Sequence, residues 1–257
     1  HLDRLMQRHG AGLVIVDSVY STHGSICPLA EMVTVTERHA GMILVDESHS
    51  LGTHGPQGAG LSAALGLTSR VHFITASLAK AFAGRAGFFT MPRALRYYTL
   101  SESFPNIFSS CLLPHEVAGL SATLEVVRAA ESARGRLHQV ARTVRAALAD
   151  AGFPVANGSE QIIALEAGPE PDTMRLRDHM EQEGVVGAIF CAPATSRNRS
   201  LLRLTLHAGL TDAEIDHVVR AAHRVAKLTR PWQWPCARRQ QGAQPSTLRA
   251  GCELSQA

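Results

Sequence analysis

Lysine is nearly absent. Of the 25 Lys and Arg residues in this 257-residue chain, only Lys80 and Lys227 are lysines. Paired cysteines are missing too: the five, Cys27, Cys111, Cys191, Cys236 and Cys252, are odd in number and far apart, with no CxxC. That pattern argues against a disulfide framework or a zinc site and for a reducing cytoplasm, with no metal expected. No apolar run is long enough to span a bilayer, and no signal-peptide pattern precedes the first apolar run. Internal repeats are absent as well. The net charge is only +3, and the arginines form no compact stripe, which argues against a nucleic-acid partner. Much of the surplus lies near the end, where Arg230, Arg238, Arg239 and Arg249 face one acid, Glu253. Since the chain opens at His1 and first reaches methionine at Met6, it is read as a fragment or a processed product.

What remains is a globular composition, 45% hydrophobic and 18% charged, with length for one large domain or two modest ones. Four short apolar runs open it: "GLVIVDS" (12–18), "MILVDES" (42–48), "VHFITAS" (71–77) and "AGFFTM" (86–91). The first three are continuous rather than alternating, which predicts strands covered on both faces. A helix is expected over 28–40, giving a parallel βαβ unit. From Pro114 the period changes to three or four, through Val117, Leu120, Leu124 and Val127, then Leu137, Val140, Val144 and Leu148. That predicts a long helix broken near Gly135 and stopped by Gly152. Strands near 161–166, 186–190 and 201–206, with helices over 172–183 and from Thr211, complete an α+β module. The expected divisions are 1–113 (large domain), 114–135 (connecting helix), 136–228 (small domain) and 229–257, a tail rich in Pro, Gln, Arg and Ser that is expected to be disordered. Two tryptophans in that tail sit oddly with disorder.

In an open parallel sheet, ligands bind beyond the carboxyl ends of the strands. After the first run come Asp17, Ser18, Ser21 and His23; after the second Asp46, Glu47 and His49, then a glycine-rich loop; after the third Ser77, Lys80 and Arg85. Singly, Asp46 reads as a turn cap and His49 as an ordinary loop histidine. Lys80 stands out, because its neighbours Ser77, Leu78, Ala79 and Ala81 are small and uncharged, a setting that desolvates an amine. Together these residues fit one chemistry. A desolvated lysine condenses with an aldehyde. A carboxylate facing a pyridine nitrogen keeps it protonated, so that the ring becomes an electron sink, as in pyridoxal 5'-phosphate. A histidine three residues on reaches the ring hydroxyl, and serine hydroxyls hold phosphate oxygens.

"VDESHSLGTHGPQGAGL" with "TASLAKAFAGRAG" resembles the α-oxoamine synthase family of fold-type I pyridoxal-phosphate enzymes, nearest its CqsA-like branch of quorum-sensing autoinducer synthases. The likeness runs from about residue 1 to 228. It implies a partial fold-type I large domain, α/β with a mostly parallel sheet, plus a smaller C-terminal α+β domain. It further implies an acyltransferase of aminotransferase class I/II type, working as a cytoplasmic homodimer on an amino acid and a fatty acyl-CoA to give an α-aminoketone. By position, Lys80 is the cofactor-linked lysine, Asp46 partners the pyridine nitrogen, and His49 the ring oxygen. Ser21 lies near the cofactor and Ser77 binds phosphate. Ser110, in "NIFSSCLLP", reaches the phosphate of the other subunit, and Arg203, in "LLRLTLHAGLT", holds the substrate carboxylate. Arg85 stands where many members have small or apolar residues; it fits the autoinducer branch and is assigned to substrate binding. The family's N-terminal third, with its glycine-rich phosphate turn and ring-stacking residue, is expected to be absent, which would weaken folding and cofactor binding. Two other readings stay open: a truncated non-catalytic fragment or dimer partner of an intact paralogue, and an aminotransferase of the same fold.

Overall fold

The structure, a computed structural model, describes residues 1–155, 158 and 161–237. It divides into two compact units. The first comprises His1–Arg142, Asn157–Ile163 and Thr205–Thr211; the second Thr143–Ala156, Ala164–Leu204 and Asp212–Ala257.

The first unit opens with α1 (Leu2–His9) and β1 (Leu13–Asp17), followed by α2 (Leu29–Arg38) and β2 (Met42–Asp46). A short turn of 3₁₀ helix at Pro56–Gly58 leads to α3 (Leu61–Ala64), then β3 (Phe73–Ser77) and β4 (Gly87–Thr90). The strands lie in the order β1-β2-β3-β4. β1, β2 and β3 run parallel, with Asp17 opposite Asp46 and Asp46 opposite Thr75, while β4 returns antiparallel with Gly87 opposite Ser77. The parallel βαβ unit is therefore present. Its core joins Val16, Ile43 and Val45 of the sheet to Leu29, Val33, Leu61 and Leu67. Each such side chain contributes about 1.5–3 kcal/mol by burial.

The expectation of strands covered on both faces does not hold for β1 among the described residues. Side chains alternate across a strand, and here one set is buried while the other is open: Val16 is 7% exposed, Ile15 67% and Leu13 49%.

Beyond the sheet come α4 (Arg96–Glu102), α5 (Phe104–Ile107), α6 (Pro114–Ala129) and α7 (Glu131–Asp150). The predicted long helix breaks at Ala130, not near Gly135, and a helix accommodates that glycine without interruption. Pro114 opens α6 at the position where a missing N–H costs nothing, and the Glu116 carboxylate accepts the Leu113 N–H at 2.8 Å.

Further along the chain, β5 (Ile162–Gly168) is followed by α8 (Glu170–Gln182), β6 (Ala188–Phe190), β7 (Ser200–Thr205) and α9 (Asp212–Thr229), most of them in the second unit. The sheet order is β5-β7-β6, with β6 and β7 antiparallel. Leu165, Ala167, Leu176, Met180, Leu201, Leu202 and Val225 are buried.

Expected disorder from residue 229 is corrected for the described part. Trp234 packs edge-on against Phe153 with centroids 5.6 Å apart, and its Nε1 donates to the Thr229 carbonyl at 3.2 Å. The Cys236 thiol donates to the Glu166 carbonyl at 2.7 Å. Composition averaged over a tail hides one buried aromatic anchor, which is enough to order its neighbours. Residues 238–257 lie outside the described residues. Among the described residues no helix is long and apolar enough to cross a membrane.

Candidate functional site

β1, β2 and β3 are parallel, so their carboxyl ends share one edge of the sheet. Those ends are Asp17, Asp46 and Ser77. Asp46 is half-buried, and its Oδ1 accepts the Ser48 N–H at 2.8 Å, closing the turn that follows β2. The turn is tied sideways to β3, because the Ser77 N–H donates to Ser48 Oγ at 2.7 Å. Ser77 Oγ in turn accepts the Ala79 N–H at 3.3 Å, which starts the loop bearing Lys80. That loop is closed by the Leu78 N–H on the Ala86 carbonyl at 2.8 Å and the Ala83 N–H on the Lys80 carbonyl at 3.0 Å.

The glycine-rich loop after His49 abuts the same segment. Gly52 has φ +84°, and a Cβ there would lie 2.6 Å from Ala81 Cβ, so only glycine allows this approach. The His49 carbonyl accepts the Gln161 side-chain N–H, and Thr53 Oγ1 reaches the same carbonyl at 3.4 Å. Asp46, His49, Ser77 and Lys80 thus sit on connected turns of one unit. Ser21 lies on the neighbouring turn after β1, which is closed by Val19 pairing with Ile26 and by the Gly24 N–H on the Tyr20 carbonyl at 2.9 Å.

Electrostatics at this edge bear on Asp17. Burial first, and the Asp46 charge second, push its carboxyl above the usual carboxylate range.

One expectation changes here. Lys80 is exposed, so the described residues around it do not supply the desolvation that its small neighbours implied. Small side chains leave an amine uncovered as easily as they surround it. Arg85 and Ser110 are exposed too, Ser110 just beyond α5, whose first residue Phe104 is 72% exposed and whose follower Phe108 is 65% exposed. Arg203 belongs to the second unit. It sits on β7, between β5 and β6, and its guanidinium stacks 4.7 Å from the centre of the Phe190 ring. Burial lowers its pKa from the ordinary arginine value. The residue-level reading missed Ser48, whose hydroxyl joins the two turns; nothing in its local sequence marks that contact, which spans 29 positions.

An Asp-x-x-His turn beside a Ser-x-x-Lys turn at the carboxyl edge of parallel strands is the arrangement of a fold-type I α/β unit. The chain matches the family "Aminotransferase class I and II" over residues 1–221 and belongs to it, within the α-oxoamine synthase group. It is 47% identical over 221 residues to the CAI-1 autoinducer synthase of Vibrio campbellii (strain ATCC BAA-1116), covering 86% of this chain and 56% of that protein. It is 33% identical over 213 residues to the 8-amino-7-oxononanoate synthase of Anaeromyxobacter dehalogenans (strain 2CP-C), covering 83% and 54%. Among solved structures, serine palmitoyltransferase from S. paucimobilis superposes with a TM-score of 0.83 at 28% identity, over 89% of this chain and 58% of that one. The chain spans about half the length of the curated relatives it matches.

Proposed function

We propose that this chain carries half of the site of a pyridoxal-phosphate-dependent acyltransferase that condenses an amino acid with a fatty acyl-CoA, releasing carbon dioxide and free CoA and leaving an α-aminoketone. One observation carries the reading: the Asp46 turn and the Ser77–Lys80 loop are hydrogen-bonded to each other at the carboxyl edge of a parallel sheet. The relatives' names, an autoinducer synthase and an oxononanoate synthase, support the same class.

The donor set suits the cofactor. Lys80 offers a primary amine for its aldehyde. Asp46 accepts the Ser48 N–H on one oxygen, which leaves the other for a protonated ring nitrogen. His49 serves the ring oxygen, and Ser21 and Ser77 supply hydroxyls for the phosphate end. When bound, the cofactor supplies an electron sink for charge developing at the amino acid's Cα. With the cofactor bound, Lys80 would be the base that takes the Cα proton. His49 polarises the thioester carbonyl of the acyl-CoA. Arg203 binds the substrate carboxylate and Arg85 contributes to the amino-acid pocket. On this reading the enzyme is a cytoplasmic homodimer, with Ser110 reaching the partner's phosphate site; the exposed Phe104 and Phe108 beside it support a contact surface there.

The scarcity of lysine makes the test clean. Chain mixed with pyridoxal phosphate and reduced with borohydride should carry the label on Lys80, and the visible absorbance band should vanish in Lys80→Ala. Label on Lys227, or none, overturns the cofactor reading for this chain. A second reading follows from the family description, which names aminotransferases. Amino transfer to a keto acid without acyl-CoA would establish it over the synthase.

A further inference from the structure

Directly after Asp46 stands the most deeply buried charged side chain among the described residues of the first unit. Glu47 is 1% exposed. Its Oε2 accepts the Leu61 N–H at 2.9 Å and its Oε1 the Ser62 N–H at 2.7 Å, across a separation of 14 and 15 residues. Ser50 Oγ also donates to this carboxylate. Ser50 is fully buried and lies 2.7 Å from Ser18 Oγ, and Ser18 Oγ stands 2.9 Å from the Asp46 carbonyl. A chain of buried hydrogen bonds thus runs from the end of β1, through the turn after β2, to the start of α3.

The surroundings are shaped to this carboxylate. Gly60 has φ +96°, and a Cβ on it would come within 2.8 Å of Glu47 Oε2. The Gly60 N–H returns to the His54 carbonyl at 2.9 Å, which closes the 54–60 loop against the clamp. Placing a charge in such a spot is costly unless its lone pairs are filled. Here two backbone amides and a hydroxyl fill them, and the amides are unsatisfied donors at a helix start. The lipophilic wall beside it, Leu61 and Leu67, belongs to the core. Nothing in this arrangement points Glu47 at a ligand. Its carboxylate is held by the Leu61 and Ser62 amides on one side and by Ser50, next to His49, on the other.

We propose that Glu47 is a positioning residue: its buried carboxylate clamps the Asp46–His49 turn to the amides of Leu61 and Ser62, and so fixes the orientation of both proposed cofactor-binding side chains. The clamp is read from hydrogen bonds alone; its consequence for the cofactor rests on the function proposed above. A glutamine cannot replace it, since its amide NH₂ would meet an N–H donor at one of the two sites. Aspartate keeps the charge but is one methylene short.

The test compares wild type, Glu47→Gln and Glu47→Asp as the full 257-residue chain. Hydrogen exchange is followed in peptides covering 47–62 and, separately, β1 and β3. Losing charge-assisted bonds of this kind corresponds to exchange faster by about tenfold to hundredfold. The expected result is that loss confined to 47–62 in Glu47→Gln, with partial recovery in Glu47→Asp. Unchanged exchange, or an equal rise in all strands, overturns the clamp. Should Glu47→Gln fail to fold, Ser50→Ala removes a single donor and is expected to loosen the same segment by a smaller factor; no change there overturns it as well. With pyridoxal phosphate added, the pH midpoint of the visible band is expected to move in Glu47→Gln. A loosened loop with an unmoved midpoint overturns the positioning role. Absence of the band in wild type sinks the cofactor reading instead, and the exchange measurement then decides the clamp by itself.

Discussion

Helices α6 and α7 follow each other, and both repeat apolar residues every three or four positions, yet their faces meet different fates. In α7, Leu137, Val140, Val144 and Leu148 are between 0% and 5% exposed. In α6, Val117 is 48% and Leu124 43% exposed, and only Val127 of the four periodic residues is buried. Periodicity states that a face is apolar. It does not state what covers that face, because the covering surface is written elsewhere in the chain or in another molecule. The sheet repeats the lesson: β1 shows the same continuous apolar run on both sides, and one side is open at Ile15.

Substitutions sharpen this contrast, beginning with the largest effect. Leu148→Ala removes a side chain that is 0% exposed and is expected to cost about 2–5 kcal/mol in urea unfolding. A loss below about 1 kcal/mol would mean that the burial of α7 contributes little. Gly60→Ala comes next. It forces a Cβ into the left-handed region and against the Glu47 carboxylate, and about 1–3 kcal/mol is expected. Its effect should shrink in a Glu47→Gln background if the carboxylate is what the methyl meets.

The same contrast explains what was legible in the residues. Strands β1 to β4, α2 and the second-unit elements were readable because each is bounded by its own turn residues and apolar pattern. The Asp46, His49 and Lys80 turns were readable as strand ends. Three things were not. Helix α6 carries a periodic apolar face, and nothing local shows that this face stays open. Lys80 was expected to be desolvated, although covering an amine needs groups distant in sequence. Glu47 was noted only as one more polar residue, since its partners lie 14 and 15 positions on, within a glycine-rich loop whose path no periodicity predicts.

A smaller effect belongs to pH. The folded carboxyl of Asp17 titrates above its ordinary value, so the folded protein holds that proton more tightly than the unfolded chain. The sign follows: the site is neutral in both states at low pH, and a penalty develops as pH rises through the ordinary carboxylate range, becoming complete above the folded value. Asp17→Asn removes it. The variant should gain less than about 1 kcal/mol near neutral pH, with solvent screening counted, and match wild type below about pH 3. Equal stability at both pH values would show that the charge at Asp46 and the burial are not felt at Asp17.

The smallest effect is the one that bears most directly on α6. Leu124→Ala trims a side chain that is 43% exposed and replaces it with the best helix former. On the exposed face the transfer loss and the propensity gain nearly cancel, so the change should stay within about 0.5 kcal/mol in dilute protein. The informative variable is concentration. If the face of α6 is covered by another copy of the chain, wild-type unfolding midpoints rise with protein concentration, and Leu124→Ala loses that rise while its dilute-limit stability is unchanged. If the cost instead exceeds about 2 kcal/mol at every concentration, the face is covered within a single chain, and the difference between α6 and α7 disappears.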